Sequence, residues 1–428
     1  MLYALVAIMG LGLVDSYFIS YLGTEQLAAI GFIVPIVSII TSFGLGLGMA
    51  ISSLTSKLIG SGNLDSAARL ITDGFYLTGI VALISTLMLV WQMENIFVLL
   101  GAQANTLDYI HQYMSTWMFA APLSVYSMVC ASTFRALGDT ATSARIAISM
   151  TLTNAVLDPL LIFGIGPFPE LGMQGAALAT VLAVVLAISI GFYQLGIKEK
   201  FLLWSIPHWQ DFKYNLNRLL HIAIPALLAN AIIPATSAVL TTLVAKFGID
   251  AVAGYGVGTR VEQLSLMIVF ALSSTLPMFI GQNLGANKLE RVQQSISLAF
   301  RFVIALQLLV FLVLIVSADT IAKLFSSEQS VQDTIVTFLW IVPLSYGLSG
   351  VVVLINVAVN VLGKPRLALY INSCKLLAFY LPLTYFGAKW FELKGLFIGI
   401  AIGNCLSYVL ALVLLNKTLI ELKIKPSV

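Results

Sequence analysis

An all-α membrane protein of twelve transmembrane helices, arranged as two six-helix lobes, is the architecture this sequence predicts. Three observations predict it. Of 428 residues, 59% are hydrophobic and only 10% charged, with a mean hydropathy of +0.99; a soluble domain of this length must coat its surface with charge. Apolar runs long enough to cross a bilayer recur along the whole chain. The second half repeats the glycine pattern of the first at a fixed offset.

In chain order the spans fall near 1–21, 29–53, 70–90, 112–134, 143–164, 173–196, 219–245, 252–280, 295–316, 334–359, 367–388 and 395–416. Residues 197–218 carry Lys198, Lys200, Lys213 and Arg218 and read as a cytoplasmic linker loop. It separates an N-lobe, 1–196, from a C-lobe with a short tail, 219–428. Alternate loops divide the cations unequally. One set holds Lys57, Arg69, Arg135, Arg145, the linker's four, Lys288, Arg291, Arg301, Lys364, Arg366, Lys417, Lys423 and Lys425. The other holds Lys246, Lys323, Lys389 and Lys394. By the positive-inside rule this bias places both termini in the cytoplasm, as expected of a multi-pass protein of the cytoplasmic (inner) membrane.

A shift of 225 residues pairs Gly23 with Gly248, Gly31 with Gly256, Gly60 with Gly285 and Leu137-Gly138 with Leu362-Gly363; after a five-residue slip Gly175 pairs with Gly395. Six spans per half give both repeats one topology, so a pseudo-two-fold axis along the membrane normal is expected. The same register sets Pro225 just before Met1, so the first helix is expected to lack its start.

Several classes are excluded. Cys130, Cys374 and Cys405 lie apart in apolar runs and suggest neither disulfides nor zinc. The three histidines fall near helix ends, against a His-ligated metal or haem. A net charge of +3 gives no reason to expect nucleic acid. The N-terminus has no basic region or cleavage site of a signal peptide.

The chemistry concentrates in Asn154-Ala-Val-Leu-Asp158-Pro159. Asn154 and Asp158 are four apart and share one helix face. A carboxylate facing lipid costs several kcal/mol, so Asp158 should face the bundle interior, a watery cavity or a cation. Asp15 and Asp158 each lie roughly 9 Å below the outer ends of their helices, at about 1.5 Å per residue. Thr180, entering from outside on the next span, reaches a comparable depth, and Asn154 lies a turn deeper. Two carboxylates, an amide and a hydroxyl at one level can ligate Na⁺ or share a proton without a histidine. The offset positions in the second half are Leu240 and Leu383, so ion coupling is expected in the first lobe. Gly10 and Gly12, just before Asp15, make the first span a candidate for bending. Tyr17, Tyr113, Trp117 and Met118 offer an aromatic and Met-rich lining suited to apolar cations. Arg260, Glu262 and Lys375 read as separate interfacial or interlobe partners.

The chain resembles the multidrug and toxic compound extrusion (MATE) transporters. The likeness is carried by Val14-Asp15, Phe134-Arg135-Ala136-Leu137-Gly138-Asp139, Asn154 through Pro159, Leu171-Gly172-Met173-Gln174-Gly175, Gly258-Thr259-Arg260-Val261-Glu262 and Pro277 through Gly285. It implies two lobes around a V-shaped central cavity, alternating access driven by H⁺ or Na⁺, and a cation site of Asp15, Asn154, Asp158 and Thr180. Without acids on the seventh and tenth spans the chain looks like the branch named after the DNA-damage-inducible protein F, which is read as proton-coupled.

The expectation is therefore a monomeric secondary antiporter that exports amphipathic, cationic drugs without a cofactor, protonation bending the first span and releasing substrate. The alternative is a flippase for a lipid-linked saccharide or similar amphipathic lipid. An enzyme is not expected, since no nucleophile–base pair or metal-ligand cluster accompanies the acids.

Overall fold

The computed structural model describes residues 14–15, 17–99, 104–203 and 208–424, and every regular element among them is helical. The chain forms two compact units, Met1–Leu227 and Leu228–Val428. Unit 1 holds α1 (helical at residues 14–15 and 17–20), α2 (Thr24–Gly60), α3 (Leu64–Leu99), α4 (Ala104–Leu137), α5 (Thr140–Ile162) and α6 (Gly172–Phe192). A π-helical turn, Tyr193–Lys198, prolongs α6. The next helix, α7 (Trp209–Ala245), starts inside the segment read from sequence as a loop over 197–218.

Unit 2 continues with α8 (Ile249–Ser265) and α9 (Met267–Gly285), joined at Leu266, then α10 (Leu289–Phe325). A 3₁₀ turn, Val342–Ser345, links α11 (Gln329–Ile341) to α12 (Tyr346–Val361), and a π turn, Lys375–Tyr380, links α13 (Pro365–Cys374) to α14 (Leu381–Ile424). The helical geometry of α14 breaks at Phe391 and Glu392, where Glu392 has φ of 53°, so this element crosses twice. Ten helical stretches among the described residues are long and apolar enough to span a membrane, and the break in α14 divides one of them into two passes.

The repeat reappears in the backbone. Gly23 and Gly248 enter α2 and α8 at φ of 141° and 105°, and Gly138 and Gly363 share φ of 96° and 84°. Gly62 (79°) has as its counterpart Asn287 (57°), the non-glycine residue that best tolerates the left-handed region. The hydrogen bonds repeat as well: Asn63 N–H donates to Leu58 O and Lys288 N–H to Asn283 O, the six-to-one bond that closes a helix C-terminus.

Within unit 1, α2 packs chiefly on α4. Small residues permit the approach, since a Cβ at Gly44 would stand 3.0 Å from Met128 Cβ. Asp73 on α3 is fully buried, a deep acid that span-edge reasoning overlooked. Arg69 pairs with it at 3.0 Å, and Asn215 on α7 donates to it at 2.7 Å. Leu203 N–H donates to Thr72 Oγ1 at 2.9 Å. These bonds, with Gly46 against Ala223 and Leu227, fasten the first half of α7 to unit 1. Beyond the boundary Asn372 donates to Ala229 O, within unit 2. The division between units therefore falls inside a continuous helix.

Asp139 caps α5, accepting from Thr142 N–H at 2.9 Å. Burial alone would push its carboxyl up, but hydrogen bonds from the Thr142 side chain and backbone, the Arg145 charge and the Ala141 N–H together bring it below 3.8. Asp139→Ala should cost about 1 kcal/mol. Because the folded value is depressed, the stabilisation is complete above the unfolded value and lost as pH falls through the folded one. Thermal unfolding in detergent should show a wild-type advantage at neutral pH that narrows below pH 3.8; a gap that widens in acid contradicts this assignment.

Candidate coupling site in unit 1

Three helices bring four of the sequence-predicted residues together. α5 presents Asn154 (1% exposed) and Asp158 (0%) from one face. α6 presents Thr180, and α1 presents the half-buried Asp15. Asn154 Nδ2 donates to Asp158 Oδ1 and to Thr180 Oγ1, both at 3.3 Å. The single Thr180 proton goes to Ala176 O at 3.2 Å. Its oxygen must therefore accept from Asn154, which fixes the amide orientation and leaves Asn154 Oδ1 free.

Asp15 lies within hydrogen-bonding reach of both Asp158 and Asn154. Among the described residues neither carboxylate has a salt-bridge partner. Three buried oxygens, Asp15 Oδ1, Asn154 Oδ1 and Asp158 Oδ2, have no hydrogen-bond donor. Two bare carboxylates this close repel strongly in a dry interior, and a proton or a small cation between them removes the conflict. The donor set is all oxygen, which suits a hard cation as well as a proton.

The aromatic candidates do not gather. Tyr113 is buried and within hydrogen-bonding reach of Thr180, so it joins the polar cluster. Trp117 is buried in the unit 1 core, and Met118 is half-buried on the same helix. Tyr17 is 57% exposed, and its hydroxyl pairs with that of Tyr21 at 2.8 Å. Gly10 and Gly12 lie outside the described residues.

Unit 2 has a different solution. Glu262 on α8 and Lys375, at the head of the π turn, are close enough to act on each other electrostatically, whereas sequence spacing had left them as separate partners. Arg260 is exposed. Lys375 Nζ donates to Ser349 Oγ at 3.4 Å and lies 5.1 Å from the centroid of the Tyr380 ring. Tyr380 OH donates to Asn404 Oδ1 at 2.7 Å, and Asn404 Nδ2 donates to Ser345 Oγ at 2.9 Å. The acid here has a cation beside it. At the 225-residue offset from the two unit 1 acids stand Leu240 and Leu383, neither of them ionisable.

Comparison with known proteins gives the same architecture. The MatE family profile matches residues 1–160 and again 225–386, one copy per repeat. A protein of Shewanella oneidensis named FAD transporter is 40% identical over 406 residues, covering 95% of this chain and 90% of its own. The multidrug export protein MepA of Staphylococcus haemolyticus is 25% identical over 321 residues, covering 75% and 70%. The crystal structure of the Vibrio cholerae MATE transporter VcmN in the bent form superposes with a TM-score of 0.93 at 34% identity, covering 98% of this chain and 95% of that one. With its two six-span repeats and its profile matched in both, this chain belongs to the MatE family of membrane transporters.

Proposed function

We propose that this chain is a secondary antiporter that expels amphipathic small molecules against an inward flow of H⁺, with Na⁺ as the alternative ion. It works from the inner membrane with both termini in the cytoplasm. The observation that carries the reading is the pair Asp15 and Asp158, within reach of each other, with three donorless oxygens around them. A pair of acids that no cation among the described residues neutralises has two charge states of very different energy, which is what ion-driven switching requires. Asn154 and Thr180 hold Asp158 in place, and Asp15 carries the change of state to α1. Ion uptake at Asp15 bends α1 and displaces substrate from the first lobe, where the exposed Tyr17 and the half-buried Met118 remain candidate contacts.

The transported molecule has two readings. Relatives named for multidrug export favour organic cations. The 40% identical relative, named FAD transporter, favours a flavin dinucleotide.

Proteoliposomes separate these readings. Efflux of a fluorescent organic cation and of FAD is followed under an imposed pH gradient and then under an imposed Na⁺ gradient, with Asp15→Asn beside the wild type. Proton-driven efflux of either compound that disappears in Asp15→Asn supports the proposal and names the substrate. Drive by Na⁺ alone keeps the site and reassigns its ion. Full ion-driven export by Asp15→Asn refutes the coupling role. Movement of neither compound returns the lipid-linked saccharide flippase as the leading idea.

A further inference from the structure

At the cation-rich end of unit 2, α10 and the second pass of α14 enclose a groove of about 620 Å³. That volume lies within the range of small-molecule sites. Its α10 wall carries two rows of residues at helical spacing. One row is polar, Gln293, Ser297 and Arg301, and the neighbouring one is apolar, Ile296, Phe300 and Ile304. The α14 wall repeats every four residues through Tyr408, Leu412, Asn416 and Ile420. Ser297, Arg301 and Asn416 all line the groove, and Arg301 lies about one turn further along α10 than Ser297.

Arg301 is the last charge before the apolar stretch from Phe302 to Val316. It is exposed, and among the described residues it forms no ion pair. Helical side chains lean toward the N-terminus, so its guanidinium is directed back toward Ser297 and the basic end. Lys288, Arg291 and Lys417 surround that end. Of the nearby acids, Glu421 is engaged by Lys364 at 3.1 Å, which leaves Glu290 on the outer turn of α10. The groove is thus cationic and polar toward the membrane edge and apolar below it, the profile of a phospholipid with a negative headgroup.

We propose that this groove binds one anionic phospholipid of the leaflet on the basic side. Arg301 takes the phosphodiester through paired N–H donors. The Ser297 hydroxyl and the Asn416 amide take the remaining oxygens, and the acyl chains lie along Phe300, Ile304 and Leu412. A free phosphate would gain nothing from that apolar floor. A zwitterionic lipid would set its own ammonium among like charges.

Native mass spectrometry of the purified full-length protein in mixed micelles tests this, with equal phosphatidylglycerol and phosphatidylcholine. Wild type should retain phosphatidylglycerol preferentially. Arg301→Gln should lower that preference roughly fivefold, the factor for one cation near a charged membrane surface. Ser297→Trp should fill the groove and remove the bound lipid. Lys323→Gln, on the last turn of the same helix and away from the groove, should leave the preference unchanged. Equal retention of both lipids overturns the assignment, and so does an equal loss in Lys323→Gln and Arg301→Gln.

Discussion

Asp158→Asn should reduce gradient-driven export to the level of protein-free liposomes while the protein stays folded and still binds substrate. The side chain is fully buried. An amide keeps the volume and still accepts from Asn154, so packing is retained. It cannot ionise, and its N–H₂ offers Asp15 a permanent donor in place of an exchangeable proton. The pair is then locked in a single charge state. A ligand or gradient that no longer distinguishes two states cannot shift the balance between them. Exchange of labelled substrate without any gradient, measured beside the driven flux, makes the distinction. Loss of the driven flux alone identifies a coupling residue. Loss of both together with substrate binding would make Asp158 a structural residue and sink the mechanism.

The charge asymmetry between the units explains why the acids of unit 1 suit this role. Unit 2 also buries an acid, Glu262, yet Lys375 stands near it and a chain of bonds runs on through Tyr380, Asn404 and Ser345. Lys375 offsets part of the cost of burying that acid, whereas the two acids of unit 1 face each other. Removing Lys375 would leave an unmatched buried charge, a cost of structure and not of coupling.

How much of this was legible beforehand follows from what sequence encodes. The rise of a helix is constant, so counting residues from span ends placed Asp15, Asp158 and Thr180 at one depth, and they are neighbours. The 225-residue register was legible because turns demand particular residues; even the Gly62 to Asn287 exchange keeps a left-handed turn. What sequence does not encode is which helix faces which. Tyr113 reads as one more aromatic of α4 until α6 is seen to bring Thr180 beside it. Glu262 and Lys375 are 113 positions apart on non-consecutive spans, so their approach has no local signature. Arg69, Asp73 and Asn215 look like charges and an amide at loop margins, yet they bind the start of α7 to unit 1. The register also misled in one place: the contact that Gly175 makes with α5 is reproduced by Gly399 against Leu383 and Thr384, four residues past Gly395.

That glycine contact carries the other large effect. Gly175→Val should destabilise unit 1 and abolish transport together. Gly175 stands at the crossing of α6 and α5, where a Cβ would collide with the carbonyl of Leu161 and the N–H of Ile162. Backbone cannot rotate aside as a side chain can, so the helices must separate. Overpacking of this kind costs about 1–3 kcal/mol, occasionally more, and each kcal/mol lowers Tm by roughly 2–4 °C in a unit of this size. The separation also reaches the site, because Thr180 lies five residues along α6 and its 3.3 Å bond to Asn154 spans the same pair of helices. Gly31→Ala is the matched control, since a Cβ there meets nothing within 4 Å; it should gain a few tenths of a kcal/mol from helix propensity and transport normally. Thermal unfolding and flux measured on both variants decide the matter. If Gly175→Val unfolds at the wild-type temperature and transports normally, the α5–α6 crossing is looser than described, and the geometry holding Asn154 against Thr180 no longer depends on it.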